Sequence, residues 1–287
     1  MTQDSMTATT RCFAYWLLAL DVFSISSPNP MSFIQSFLRN LFGRPPKERT
    51  MPKEPPRTVA LEAQPDLPED FGFKMNWFAV KTSDVDAVVE RLGFGKGQVA
   101  NWRSGIRAAY SSRVLGYDKD LAFVTPPIDG WVLIAGAALP YPVMHTADRH
   151  EGIGDAFDVL FSRLSTAFSD VQFFGSYRGV GFVAWARRQT GEPDRVFAFG
   201  DGDVYANVGK QTADEMLLGL PNLNDLTLAE ATERMFEDEV PFPDEDAPLL
   251  LAGRWSVNPG ELGAMALSPG CGIVIELPDV KSCRQGW

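Results

Sequence analysis

Residues 171–208, VQFFGSYRGVGFVAWARRQTGEPDRVFAFGDGDVYANV, decide how the chain is read. Three apolar, aromatic-rich segments, Val171–Phe174, Val180–Ala186 and Val196–Phe199, are separated by Gly, Pro and Asp. Val, Phe and Trp suit a pleated surface that packs on its neighbours, whereas Gly, Pro and Asp supply turn geometry. The stretch therefore predicts a run of antiparallel strands joined by tight turns. Side chains alternate along a strand, so Phe182 and Trp185 fall on opposite faces, and the sheet must be packed on both sides.

The flanking sequence extends this reading. Met75–Val80 predicts a first strand. Leu121–Thr125 and Trp131–Gly136 predict two more, joined across Pro126-Pro127-Ile128-Asp129-Gly130. Trp131–Ala135 is apolar throughout, the pattern of a central strand covered on both faces. Val85, Val88, Val89 and Leu92 recur at helical spacing between a Ser83 cap and a Gly93 stop. A second helix is expected from Gln98 to Tyr110, with Val99, Trp102, Ile106 and Tyr110 inward. A third, capped by Asp155, turns Phe157, Leu160, Phe161, Leu164 and Phe168 to the core. Downstream, Thr212-x-x-Glu215 and Thr227-x-x-Glu230 both match the capping box, and Asn258-Pro259-Gly260-Glu261 marks another helical start. Gly272–Leu277 predicts a last strand that returns to the sheet. The fold class is α+β: a mainly antiparallel sheet with packed helices and a C-terminal helical section, forming one acidic body over 71–287.

Three segments precede that body. Residues 1–30 read as an upstream extension or a weak signal-like segment, apolar over 13–25 but interrupted by Asp21. Residues 31–43 predict an amphipathic helix whose stripe includes Phe33, Phe37, Leu41 and Phe42. Its aromatic face suits weak peripheral contact with a lipid surface, with Arg39, Arg44 and Lys47 towards anionic headgroups; packing on the body is the alternative. Residues 44–70 are rich in Pro and charge and predict an extended linker.

Charge and cysteines exclude several function classes. The net charge is −11 over 287 residues, but residues 1–57 carry +3 and the remaining 230 carry −14. A nucleic-acid face needs clustered Lys and Arg to release counterions, so no nucleic-acid partner is expected. Cys12, Cys271 and Cys283 fit no disulfide framework or zinc spacing, which favours a reducing, cytoplasmic compartment. Gly93-Phe94-Gly95-Lys96-Gly97 lacks the preceding strand and following hydroxyl of a phosphate loop. His145 and His150, five residues apart, would not share a helix face, and no metal or other cofactor is expected. There is no GxSxG, HExxH, CxxC or complete dinucleotide fingerprint.

One string carries a resemblance. Arg178, Gly179, Gly181, Phe182 and Val183, with Trp185 as the last aromatic, resemble the RNP1 submotif of RNA-recognition motif domains. Val180 stands where a base-stacking aromatic belongs, and a strand at 195–199 follows with no intervening helix. With the acidic body, the string is set aside as a site. The remaining candidates are acidic. Glu237, Asp238, Glu239, Asp244, Glu245 and Asp246 place six acids in ten residues, without the spacing or central Gly of a calcium loop. They read as either a solvated loop or a docking surface for a basic protein partner.

The leading expectation is a non-catalytic interaction protein, in concrete form an acidic neutraliser of a basic partner. Toxin-immunity proteins are similar in size and charge, an analogy without a shared motif. Two other classes remain: a hydrolase-type enzyme with a carboxylate-lined pocket, and a peripheral membrane protein acting through residues 31–43. Liposome flotation of the chain with and without residues 31–43 checks the last: the full chain should float with anionic vesicles and the truncated chain should not. Equal soluble fractions remove the idea.

Overall fold

Strand β1 (Met75–Lys81) alternates its side chains between two hydrophobic cores, and the molecule is layered accordingly. The structure is a computed structural model that describes residues 56–144 and 149–278. After β1 come α1 (Val85–Leu92), β2 (Gln98–Asn101), α2 (Trp102–Ala109), β3 (Leu121–Val124) and β4 (Trp131–Ala135). Next are α3 (Arg149–Ala167), β5 (Asp170–Tyr177), β6 (Phe182–Gln189), β7 (Arg195–Gly200) and β8 (Asp203–Val208). The chain ends in α4 (Ala213–Leu217), α5 (Leu228–Met235), α6 (Ala247–Trp255) and β9 (Cys271–Glu276). The nine strands form one antiparallel sheet in the order β2-β9-β3-β4-β1-β5-β6-β7-β8.

Helices cover both faces. On one face Trp77 stacks on Phe174 at 5.3 Å, and α2, α5 and α6 add Trp102, Met235 and Trp255. On the other, Phe78 meets Phe173 at 5.0 Å, and α1 and α3 add Leu92, Phe157, Phe161 and Leu164. Phe182 joins the second core and Trp185 the first, as their parity on the strand requires. The α+β class, the antiparallel sheet and the C-terminal helical section are all present.

Two hairpins share one turn chemistry. Asp129-Gly130 and Asp201-Gly202 take positive φ at both residues, the arrangement of a two-residue type I′ turn that matches strand twist. The final strand does not add to an edge. It inserts between β2 and β3, and Gly97 and Gly272 are needed because side chains there would strike Ile273 and Phe123.

Several boundaries differ from the sequence reading. The helix expected over Gln98–Tyr110 is strand β2 followed by α2. Gln98–Asn101 pairs with β9 from far downstream, and the Asn101 side chain then accepts from Ser104 N at 3.0 Å to start the helix. Val99, expected inward, is 56% exposed. Asp84 rather than Ser83 caps α1, its Oδ1 accepting from Ala87 N at 2.9 Å. Asp155 lies inside α3, which begins at Arg149 and includes His150 in its first turn. The segment 44–70, over its described part 56–70, is extended but fastened to the body. Asn101 N donates to Glu62 O, and Asp66 Oδ1 accepts from Trp102 N, both at 2.6 Å. Val59 and Leu61 pack on the first core, so residues before 71 belong to the packed body.

A buried ion pair fixes the β7–β8 wing to α4. Arg195 Nε donates to Glu215 Oε1 at 2.9 Å, with side chains 5% and 1% exposed. Trp185 Nε1 donates to the same carboxylate oxygen at 2.7 Å, and Thr212 N donates to Glu215 Oε2 at 2.7 Å. Arg195 Nη1 donates to Asn207 Oδ1 and Val208 O, each at 3.1 Å. Charges this deep are tolerable only when their hydrogen-bonding groups are satisfied. Glu215→Ala leaves an uncompensated guanidinium and removes half of a capping box. It is expected to cost about 3–5 kcal/mol, read as a lowered urea midpoint with an unchanged m-value.

Candidate functional site

The acidic candidates occupy the segment between α5 and α6. Glu237, Asp238, Glu239, Asp244 and Asp246 are exposed, and Glu245 is half-buried. Three of them also serve the local structure. Glu237 pairs with Arg234, and Glu245 pairs with Arg178 at 3.4 Å. Asp244 Oδ1 accepts from Asp246 N at 3.0 Å and Ala247 N at 3.2 Å, which starts α6. Asp238, Glu239 and Asp246 project exposed carboxylates with no ion pair among the described residues.

Two aromatics that the sequence reading did not select sit on this segment. Phe236 and Phe242 are 62% and 52% exposed. Both lean on the buried ring of Phe199, with centroids at 6.4 Å and 4.9 Å. A large apolar ring left half in water, seated on a rigid base and rimmed by charge, has the makeup of an interface anchor.

A cleft of about 390 Å³ opens at the same end of the sheet. Its walls come from the start of β1 (Lys74, Asn76), the loop after β4 (Tyr141), the end of β5 (Tyr177), the start of β6 (Phe182) and the β7–β8 hairpin (Asp201, Tyr205). Tyr141 and Phe182 lie 4.8 Å apart, and Phe182 and Tyr205 6.4 Å apart, giving a nearly continuous aromatic wall. The Tyr205 hydroxyl donates to Asp201 Oδ2 at 3.3 Å. Burial first, and then the Asp201 carboxylate, push both the Tyr141 and Tyr205 phenols up from their ordinary range. Asn76 Nδ2 donates to Leu139 O at 2.8 Å and holds the loop that carries Tyr141. The cleft and the acidic segment are linked: Arg178, which pairs with Glu245, follows Tyr177, and Asp201 N donates to Val180 O at 3.0 Å.

Among the described residues the lining of the cleft includes one carboxylate, Asp201. Among the described residues no group of three or more His, Cys, Asp or Glu is arranged to hold a metal ion. His145 and the membrane-contact candidates Phe33, Phe37, Leu41 and Phe42 lie outside the described residues. Within the described residues no helix is long and apolar enough to cross a membrane. Cys271 is a free thiol, half-buried, with Sγ on Ala63 O at 3.3 Å. The string that resembles RNP1 is not one strand: Arg178–Val180 form a 3-10 turn, Gly181 takes φ 61°, and β6 starts at Phe182. Phe182 and Trp185 are 7% and 1% exposed, so neither ring is offered to a base.

Sequence reasoning had little chance of finding the cleft. Tyr141 and Tyr205 are far apart in the chain and share no spacing pattern. The one usable signal was the Asp201-Gly202 pair, which marks a hairpin tip where a side chain can project. No protein-family model, curated protein or solved structure matches the chain.

The tyrosine environment makes a testable statement. A phenol with a raised folded pKa keeps its proton where the unfolded chain loses it. The stability it contributes is therefore whole below about pH 10 and falls as pH rises beyond that. In an alkaline ultraviolet titration the last phenols should ionise above the ordinary tyrosine range. Asp201→Asn should move them to lower pH by removing the opposing charge.

Proposed function

We propose that the protein is an interaction protein that docks a basic partner on the acidic, aromatic surface formed by residues 236–246. The supporting observation is the pairing of Phe236 and Phe242, half-exposed on a Phe199 base, with a rim of six acids on the same segment. The aromatics supply apolar area that only a partner can bury, and the acids select the sign of that partner's charge. The segment is preorganised. Pro241 and Pro243 restrict its backbone, the Asp244 carboxylate accepts from Asp246 N and Ala247 N at the start of α6, and the Glu237 and Glu245 pairs tie down both ends. A surface already held in shape loses less entropy on binding. The strongly negative body attracts a basic partner over long range, a steering effect that salt screens. Neutralising a cationic enzyme in the cytoplasm is the concrete form of this reading.

The test is capture of partners from the native lysate at roughly 50 mM and 500 mM salt. The full chain should retain a basic protein at low salt and release it at high salt. A variant with Asp238→Asn, Glu239→Gln and Asp246→Asn should lose it even at low salt. Phe242→Ala should weaken binding by roughly tenfold or more. Failure of the full chain to retain any salt-sensitive basic partner counts against the reading.

A further inference from the structure

We infer that the Phe236 and Phe242 rings form a recognition site for guanidinium groups, so that the basic partner is read through its arginines rather than its lysines. This rests on the docking reading above and names the side chain that the surface selects.

Both rings offer a π face. Phe242 meets Phe199 at 4.9 Å with the ring planes at 90°, and a perpendicular contact covers one face of Phe242 at most. Phe236 is tilted by 59° on the same base at 6.4 Å, and 62% of it is exposed. Among the described residues no cation lies over either ring. The two arginines at this surface, Arg234 and Arg178, are held instead by Glu237 and Glu245. An aromatic face is negative at its centre and attracts a cation within about 6 Å.

The surroundings of the rings set the sign of the occupant. A Cβ placed on Gly202 would lie 3.8 Å from Phe236 Cζ, so this ring reaches the β7–β8 turn. Gly202 stands between Asp201 and Asp203, both exposed. Glu237, Asp238 and Glu239 follow Phe236 in the chain, and Asp244, Glu245 and Asp246 come just after Phe242. A purely apolar partner would dry these carboxylates without compensation, whereas a cation neutralises them.

Of the two side-chain cations, guanidinium fits better. It is planar and stacks on a ring face, and it gives up its water more readily than an ammonium does. Its N–H groups lie in its own plane. Stacked on a ring, they still point sideways and can donate to the flanking carboxylates.

The experiment titrates fluorescein-labelled hexa-arginine and hexalysine peptides with the full chain at roughly 50 mM salt and follows anisotropy. The peptides carry equal charge, so long-range attraction is common to both. Hexa-arginine should bind about threefold more tightly. Phe236→Leu with Phe242→Leu keeps the apolar area but removes the ring faces, and should bind both peptides equally. Phe236→Tyr with Phe242→Tyr keeps the faces and should retain the preference, which separates loss of the rings from damage to the fold. Four results overturn the assignment: no binding of either peptide, equal binding of both by the unaltered chain, a preference that survives in the leucine variant, or one that is lost in the tyrosine variant. Equal, salt-sensitive binding of both peptides removes the arginine site and leaves the docking reading standing. If the arginine preference follows the rings while the full chain captures no basic partner from the lysate, the docking reading falls and the guanidinium site stands.

Discussion

The structure depends on burying both faces of one antiparallel sheet. In β1 and β5 adjacent aromatics point opposite ways, Trp77 and Phe174 to one side and Phe78 and Phe173 to the other. Neither face can be left in water without exposing several large rings, so helices must close both layers. The order of the chain follows from that need. Helices α1 and α3 seal one face, while α2 and the C-terminal helices seal the other. The chain then returns as β9 to complete the sheet between β2 and β3. Residues 56–70 brace the same wing, capping α2 through Asp66.

Polar groups inside this arrangement are placed with equal economy. The Arg195–Glu215 pair links a strand, a helix cap and Trp185 in a single network, and its hydrogen bonds run to side chains and backbone alike. It holds the β7–β8 wing whose hairpin tip carries Asp201. The acidic segment is likewise positioned by structure beneath it, with Phe199 as the common support of Phe236 and Phe242.

Composition pointed to an acidic body and to the acidic segment, but composition cannot rank acids. Of the six carboxylates, Glu237, Asp244 and Glu245 have intramolecular partners, and only the coordinates separate them from Asp238, Glu239 and Asp246. The exposed aromatics were invisible for a related reason. A Phe in sequence reads as core, and nothing local to Phe236 or Phe242 says that its base would be covered and its face left bare.

What the sequence determined was whatever short-range patterns encode. Alternating apolar residues gave the strands, Asp-Gly gave the hairpin turns, and Thr-x-x-Glu gave the starts of α4 and α5, because each depends on residues a few positions apart. What only the tertiary structure decided was set by partners distant in the chain. Gln98–Asn101 is a strand because β9 lies beside it, although its own pattern continues a helix. The segment 56–70 is bound rather than free because Asn101 and Trp102 donate to it. The cleft exists because Tyr141 and Tyr205, distant in the chain, both meet Phe182. Such contacts carry no spacing signature, since their energy arises only once the sheet has brought the residues together.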